Sequence, residues 1–285
     1  MKKNLPILLL ILSLILVAIG IYGVVKSRND KESSRMNTTL GGYSDTDHHP
    51  MDVKKSADDY LYVSMPEKTP GYIKDYTGFR VSFNQDNHTP NWVAWELLGS
   101  ETEGGVARNN KFWQDTEVPG CPTTRDYSNS GYDRGHLCPS ADQKWSDQSM
   151  IDCFSLSNIA PQDHNLNTGA WKTLENKERQ WAKRDSAIII IAGPIYTPND
   201  KKTIGQANVR VPSAFFKILA APYLKNPRGI AFVYPNMTAP GNMQQYAMSI
   251  RELEKLTGFN FFSRLPEKEQ DILEMTASFN DWNKR

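Results

Sequence analysis

The sequence has little cysteine, and none of it lies in the Cys-x-x-Cys spacing that is typical of zinc sites. The three cysteines are Cys121, Cys138 and Cys153. Without such a pair, a structural zinc ion is not expected. An oxidising compartment would permit one disulfide and leave one thiol over, and three buried thiols are the alternative. The sequence does not decide between these arrangements and does not identify a pair.

The sequence also lacks an excess of charge of either sign. Lys and Arg number 33 and Asp and Glu number 32, so the formal net charge is +1. Charge balance therefore neither demands nor excludes an anionic substrate, and any attraction to phosphate has to come from a local patch. No internal repeat is present. The proportions of hydrophobic residues, 39%, and charged residues, 23%, are ordinary for a globular protein.

Charged residues are missing altogether from one segment near the amino terminus, Leu5–Val25. About 20 apolar residues suffice to cross a bilayer as a helix, whereas the apolar core of a signal peptide has about 7 to 15. Val17–Gly20 is a poor match to a small-residue cleavage site, which favours an uncleaved anchor over a cleaved signal. Basic residues flank the segment on both sides and leave its orientation open. An anchor this close to the amino terminus usually exports the rest of the chain, so we expect the body outside the cytoplasm, or secreted if the segment is cleaved.

Three regions are predicted along the chain: 1–25, the anchor or signal; 26–58, a polar flexible linker; and 59–285, one folded domain. Hydrophobic periodicity and turn residues predict a mixed α/β domain. The predicted strands lie within Gly78–Leu98 (a pair), Ser186–Gly193, Val211–Ala220 and Gly229–Tyr234. The predicted helices are Thr168–Asp185, Tyr246–Leu256 and Pro266–Met275. The continuous apolar run of Ser186–Gly193 is typical of a central strand that is buried on both faces.

The candidate chemistry starts at the tetrapeptide Asp133-Arg134-Gly135-His136. A neutral imidazole is the natural general base for activating water near neutral pH, which makes His136 a candidate base. The planar guanidinium of Arg134 can bind two phosphate oxygens at once. Gly135 permits an unusual backbone angle or a close approach, here expected to be to the substrate. A base beside a guanidinium indicates phosphodiester or phosphoryl chemistry.

A second candidate pair lies downstream, where Asn167 precedes the predicted helix and Glu175 follows eight positions later. Eight positions on a helix amount to two turns plus about 80°, so both side chains can face one broad side. An amide oxygen and a carboxylate are hard ligands that suit a magnesium ion retaining most of its waters. The plain alternative is that Asn167 caps the helix and Glu175 is a solvated acid.

Together these residues resemble the DNA/RNA non-specific endonuclease family, the ββα-metal nucleases that carry a DRGH motif. Residue types, order and spacing all match. The matching blocks are Asp133–His136, Asn158–Gln162, Leu166–Trp171, Leu174–Glu175 and the upstream strand Pro90–Trp95. The resemblance covers roughly residues 78–234, most of the predicted folded body. It implies a ββα-metal finger embedded in a mixed, largely antiparallel sheet flanked by helices, here preceded by the predicted transmembrane helix.

The resemblance also implies roles for the metal and the base. His136 would deprotonate the attacking water. Asn167 would be the sole direct protein ligand of one Mg²⁺, with Mn²⁺ as a further candidate ion. Glu175 would hold the waters of that ion by hydrogen bonds. The substrates implied are DNA and RNA, and family members often form homodimers.

Further roles are implied for the framework and the arginines. Arg134 would steady the phosphate, and Asn158 would help to position the site. An upstream arginine usually stabilises the charged transition state in this family, and Arg108 is the candidate, although its spacing is not a clean match. Asp133 is expected to make a structural salt bridge or hydrogen bond and not to bind the metal. The cations of Thr168–Asp185 would extend a surface for the nucleic-acid backbone, or simply form a solvated face: Lys172, Lys177, Arg179, Lys183 and Arg184.

Two other function classes stay open at this point. A membrane-tethered protein that binds or takes up nucleic acid without turnover would show salt-dependent binding and leave DNA intact. A phosphodiesterase for small substrates would act on a nucleotide diester but not on a polymer.

Overall fold

The computed structural model describes residues 57–283. The predicted anchor at residues 5–25 and nearly all of the predicted linker lie outside the described residues. Within 57–283, no helix has both the length and the apolar character that are needed to cross a bilayer.

The described part is built on one large antiparallel sheet. Seven strands follow the order β12-β11-β10-β7-β4-β3-β2, and every neighbouring pair runs antiparallel. Their bounds are β2 Tyr72–Asp75, β3 Arg80–Asn84, β4 Thr89–Leu98, β7 Ala187–Ile195, β10 Ala214–Ala221, β11 Arg228–Pro235 and β12 Ala247–Met248. The prediction of a mixed fold with a largely antiparallel sheet is confirmed.

Three small two-stranded ladders accompany the large sheet. They pair β1 Val63–Ser64 with β13 Asn260–Phe261, β5 Asp133–His136 with β6 Ile159–Gln162, and β8 Thr203–Ile204 with β9 Val209–Arg210. The second of these carries the candidate site.

Strand β7 lies at the centre of the large sheet and is buried on both faces, as its continuous apolar run predicts. Ile188 and Ile190 belong to one hydrophobic cluster, and Ile189 and Ile191 belong to another. Successive side chains of a strand point to opposite faces, so the two clusters occupy the two sides of the sheet. The first cluster also contains the indole rings of Trp171 and Trp181, which places the predicted helical segment on that side.

The helices in the described range are short apart from one. Their bounds are α1 Ala57–Tyr60, α2 Asp147–Asp152, α3 His164–Leu166, α4 Lys172–Asp185, α5 Ile250–Thr257, α6 Glu267–Glu274 and α7 Phe279–Asn283. The prediction of one regular helix over Thr168–Asp185 was wrong at its start. Asn167–Trp171 forms a wider π-helical turn, inside which Gly169 has non-helical angles of φ −105° and ψ −106°. Such turns are frequent at functional sites.

The predicted helix Tyr246–Leu256 starts later than expected. Ser249 caps α5, since its hydroxyl accepts from the backbone N–H of Glu252 while the Glu252 carboxylate accepts from the backbone N–H of Ser249. This capping box fixes the first helical residue at Ile250, and the residues before it pair with β11 as the short strand β12.

All three cysteines are buried and form no disulfide. Burial raises the pKa of the Cys121 thiol and of the Cys153 thiol to about 12, and it also raises the pKa of the Cys138 thiol. These groups therefore stay protonated and unreactive at neutral pH. Of the two arrangements open from the sequence, the structure has the three buried thiols.

Candidate active site

The candidate residues converge on a compact ββα unit. Strand β5 pairs with β6 from Asp133 opposite Gln162 to His136 opposite Ile159. The chain then passes through α3 and the π-turn into α4. The DRGH strand and the helix that carries Glu175 thus become neighbours, although about 40 residues separate them in sequence. Trp171 joins them directly, since its indole N–H donates to the backbone carbonyl of His136 over 3.3 Å.

Gly135 is in close contact with another buried residue and not with solvent or a substrate. It is buried, and a Cβ added to it would overlap the side-chain oxygen of Gln162. Its φ is not in the left-handed region. The expectation that Gly135 lets substrate approach was therefore wrong. Only glycine leaves room for the buried Gln162 amide across the β5–β6 ladder.

His136 lies between two phenyl rings. Its ring centroid is 5.3 Å from that of Phe112 and 4.9 Å from that of Phe154. Its Nε2 is buried and has no hydrogen-bond partner within residues 57–283. Burial, and secondarily the positive charge of Arg108, lowers the pKa of His136 to about 3. The imidazole is therefore neutral at physiological pH, as a base must be, and its Nε2 is shielded from solvent although the residue as a whole is half-buried.

Arg108 lies on the side of Phe154 and is held by two polar contacts. Its Nε donates to the side-chain oxygen of Asn110 over 2.7 Å, and its Nη1 donates to the hydroxyl of Ser140. The guanidinium carbon lies 5.0 Å from the ring centroid of Phe154. The structure thus brings the uncertain candidate Arg108 close enough to His136 to affect its pKa.

Arg134 lies on the other side of the aromatic group. Its guanidinium carbon is 5.3 Å from the ring centroid of Phe112, and its Nη2 donates to the backbone carbonyl of Thr124 over 3.1 Å. Its Nε is buried and lacks a hydrogen-bond partner among the described residues. A planar guanidinium that packs against a ring is suited to bind an anion.

Asn167 is oriented by a carboxylate. Its Nδ2 donates to Oδ2 of Asp133 over 2.8 Å, and Nδ1 of the exposed His164 lies 2.9 Å from the same oxygen. An ionised carboxylate can only accept. The nitrogen of the Asn167 amide must therefore face Asp133, and its oxygen is left for another partner. This agrees with the expectation that Asp133 makes hydrogen bonds.

Glu175 is the candidate acid on α4. Burial is the main cause that raises the pKa of Glu175 to about 7. The charges of Lys217, Arg179 and Arg108 oppose this rise, whereas Asp142 adds to it. The carboxyl group therefore changes charge near neutral pH, which is unusual for a solvated acid and typical of a functional group.

Asn158 is a framework residue that makes no approach to the cleft. Its amide nitrogen donates to the carbonyls of Cys138, over 2.9 Å, and Cys153, over 2.8 Å, while its oxygen accepts from the N–H of Cys138 over 2.9 Å. The side chain is fully buried. It ties the segment after β5 to the segment before β6 and so positions the DRGH strand.

A buried charge network that was not expected from the sequence lies beneath these residues. Asp142 accepts from Nη1 of Arg179 over 2.7 Å and from the indole N–H of Trp95 over 3.1 Å. Lys217 and Glu178 form an ion pair with a nitrogen–oxygen distance of 3.0 Å. The signal in the sequence was the single lysine inside the apolar strand segment AFFKILAA, since such a lysine is buried only when it is paired.

The predicted basic surface of α4 is only partly formed. Arg179 turns inward to Asp142, Lys183 pairs with Glu103 over 3.2 Å, and Arg184 pairs with Asp185 over 2.7 Å. Paired cations add less positive field than free ones, so the helix does not present five solvent-facing charges to a polyanion.

An open cleft of about 380 Å³ borders the ββα unit. One wall consists of Asp133, Arg134 and Asn167, and Phe112, whose ring packs against His136, also lines the cleft. The remaining lining is Tyr127, Ser128, Asn129 and Tyr132. The ammonium group of Lys202 packs against the ring of Tyr132, with Nζ 4.6 Å from the ring centroid.

Comparison with known proteins points to one family. The sequence model of the family described as DNA/RNA non-specific endonuclease matches residues 56–268. Mitochondrial nuclease EXOG of Danio rerio is 35% identical over 215 residues, which are 68% of this chain and 62% of that protein. EXOG of Mus musculus is 32% identical and is covered over 58% of its length. The match therefore spans about three fifths of these two relatives.

Two further comparisons agree. Nuclease C1 of Cunninghamella echinulata is 31% identical over 216 residues, covering 69% of this chain and 86% of that protein. Among solved structures, the crystal structure of the EndoG/EndoGI complex matches with a TM-score of 0.66 and 25% identity, covering 76% of this chain and 96% of that chain.

Proposed function

Because the chain belongs to the DNA/RNA non-specific endonuclease family, we propose that its folded body hydrolyses phosphodiester bonds of DNA and RNA without sequence preference. The observation that carries the proposal is the convergence of Asp133, Arg134, His136 and Asn167 on one ββα unit beside an open cleft. Contacts to backbone phosphate carry no sequence information, so low specificity follows.

The residues fit a hard divalent cation, for which we propose Mg²⁺, with Mn²⁺ as the alternative. Within the described range, no group of three His, Cys, Asp or Glu could hold an ion, so the ion would depend on few protein ligands and on water. The Asn167 oxygen, left available by the bond to Asp133, is the proposed ligand, and Glu175 would accept hydrogen bonds from bound waters. The ion would neutralise charge on the phosphate and on the leaving oxygen.

The protein's own groups would do the rest. Arg134 lines the cleft and would bind the phosphate through its guanidinium. His136, kept neutral by its surroundings, would accept the proton of the attacking water. Arg108, held beside Phe154, would stabilise the charge that develops in the transition state. Asn158 would act through the framework alone.

The cleft would receive the nucleotide next to the cleaved bond. Its volume of about 380 Å³ is within the range of small-ligand pockets. Tyr132 offers a ring face, and Lys202 and Arg134 offer positive charge. Stacking on a ring tolerates any base, in keeping with a non-specific enzyme.

One observation favours the second candidate, a protein that binds nucleic acid without turnover. The pKa of about 3 makes His136 a weak base as it stands.

The test uses the full-length protein with supercoiled plasmid and with RNA, in Mg²⁺ and in EDTA. The variants are His136→Ala and a matched control, His88→Ala, which removes a histidine outside the ββα unit. Metal-dependent degradation that is lost only in His136→Ala supports the enzyme and its base. Intact plasmid under every metal tried, with binding that weakens as salt rises, supports the binding protein instead.

A further inference from the structure

Lys217 is a lysine in the middle of strand β10, next to the central strand β7, and it is 0% exposed. Phe215 and Leu219, two positions before and after it, belong to the hydrophobic cluster on the side of α4. Alternate residues of a strand share a face, so the lysine projects into the core beneath the candidate site. A buried lysine is rare and needs a partner.

Lys217 contacts α4 and the π-turn that precedes it. Its Nζ lies 3.0 Å from a carboxylate oxygen of Glu178, which is also fully buried. The same Nζ lies 4.7 Å from the ring centroid of Trp171 and 5.5 Å from that of Trp95. Trp171 in turn donates to the backbone carbonyl of His136. One ammonium group is therefore packed beneath both halves of the ββα unit.

In sequence, Glu175 lies between Trp171 and Glu178, the two residues of this segment that contact Lys217. It follows Trp171 by four positions and precedes Glu178 by three, and these spacings put side chains on one face of a helix. The other charged groups that face Glu175 are Asp142, Arg179, Arg108 and Glu178. Glu178 and Asp142 are acids, so the carboxylate of Glu175 needs a buried cation to stay charged.

We propose that Lys217 is a positioning residue for the nuclease reaction, acting through its charge to keep the Glu175 carboxylate ionised where it would hold the waters of the metal. This rests on the proposed function, in which Glu175 has that role. Of the charges that lower the pKa of Glu175, Lys217 has the largest effect, which agrees with the geometry.

The simpler account is that Lys217 and Glu178 are an internal ion pair with a purely structural role. A buried pair can often be replaced by neutral residues of similar volume without loss of stability, whereas removing one partner leaves a buried charge alone. The double variant Lys217→Met/Glu178→Gln separates the two accounts. It removes both charges of the pair, yet it still deprives Glu175 of the cation.

The experiment measures Mn²⁺ binding to the full-length protein by calorimetry, without nucleic acid, over a pH range around the titration of Glu175 at about 7. We expect affinity to rise with pH as Glu175 loses its proton, and Glu175→Gln to abolish this dependence. In Lys217→Met, the midpoint should move up by about one pH unit, which is a loss of roughly tenfold at a fixed pH below it. The double variant is compared with Glu178→Gln, which also lacks the acid but keeps the cation, and its midpoint should lie above that of Glu178→Gln. Lys183→Met is the matched control, since it removes a cation from the exposed side of α4, and its midpoint should not move.

Unfolding in urea at neutral pH accompanies the binding measurement. The double variant should be more stable than Lys217→Met, and its midpoint should stay above that of Glu178→Gln. A double variant that regains stability and has the same midpoint as Glu178→Gln would overturn the proposal and leave a structural ion pair. If the double variant does not fold, Glu175→Gln still decides, because a pH dependence that persists in it removes Glu175 from the proposal.

Failure of the proposed function gives a different pattern. If the wild-type protein binds no Mn²⁺ and cleaves no plasmid, the proposed function is wrong, and the inference that rests on it is wrong as well. If the wild-type protein cleaves plasmid in a metal-dependent way but the midpoints of the Lys217 variants are unshifted, the proposed function stands and only the inference about Lys217 is wrong.

Discussion

The enclosed imidazole of His136 should make the protein sensitive to acid. In the unfolded chain a histidine has a pKa of about 6.5, whereas in the folded protein burial and Arg108 lower the pKa of His136 to about 3. Between these two values the unfolded state binds a proton that the folded state rejects. Stability is therefore complete above the unfolded pKa and is lost as the pH falls through 6.5 toward 3.

The size of the effect follows from these two pKa values. At about pH 5, a group with pKa values of 6.5 and 3 destabilises the fold by about 2 kcal/mol relative to about pH 7.5. The result hardly depends on the folded value, because a group with a folded pKa of about 4 would give nearly the same figure. Glu175 works in the opposite direction, since its pKa is raised to about 7 and its proton is bound more tightly in the folded state. Wild type must therefore be compared with a variant that lacks only the imidazole.

The assay is urea unfolding of full-length wild type and His136→Gln at about pH 7.5 and about pH 5. Glutamine does not titrate, so the difference at the higher pH reports packing alone. On going to the lower pH, wild type should lose about 2 kcal/mol more than the variant. An equal loss in both proteins would show that the ring takes up its proton without penalty, which would refute the argument that Phe112 and Phe154 enclose it.

Three further predictions concern the metal and the β5–β6 ladder. Asp133→Ala should weaken Mg²⁺ binding by about 10- to 100-fold, because the Asn167 amide loses the acceptor that orients it. Calorimetry without nucleic acid measures this affinity. An unchanged affinity would show that Asn167 is not the ligand. Glu175→Gln should weaken the same binding and remove its rise through about pH 7. Gly135→Ala should destabilise the protein by about 1 to 3 kcal/mol in urea unfolding, because the added methyl group overlaps a buried glutamine; Gly105→Ala, where a Cβ meets nothing within 4 Å, is its control.

The aromatic and cationic groups around the site suggest how substrate would gain access. Phe112 touches both the pocket of His136 and the open cleft, and Arg134 stacks on its ring. A phosphate that binds Arg134 would therefore lie next to the ring that packs against His136.

Local patterns determined much of the observed structure. The apolar run that forms β7 has few alternatives to a buried central strand, because it is short, β-branched and uncharged. The spacing of Trp171, Leu174 and Trp181 placed one face of α4 in the core. The order and spacing of DRGH and the later asparagine predicted the ββα unit through the resemblance to the nuclease family.

Other features depend on contacts between residues that are far apart in sequence, and no local pattern contains them. The sequence does not show that Gly135 makes room for a buried side chain, because that side chain belongs to Gln162, 27 positions away. The predicted start of α4 is wrong because the chain widens into a π-turn, in which Asn167 bonds to Asp133 from another element.

The electrostatics of the site are likewise a tertiary property. The pKa values of His136 and Glu175 are set by burial and by charges on other elements, such as Arg108 and Lys217. The sequence by itself determined which side chains are available for the chemistry, since residue type and local spacing are written in it. Only the tertiary structure decided which are charged, enclosed or free to bind, because solvent exclusion and the distance between charges exist only once the chain is folded.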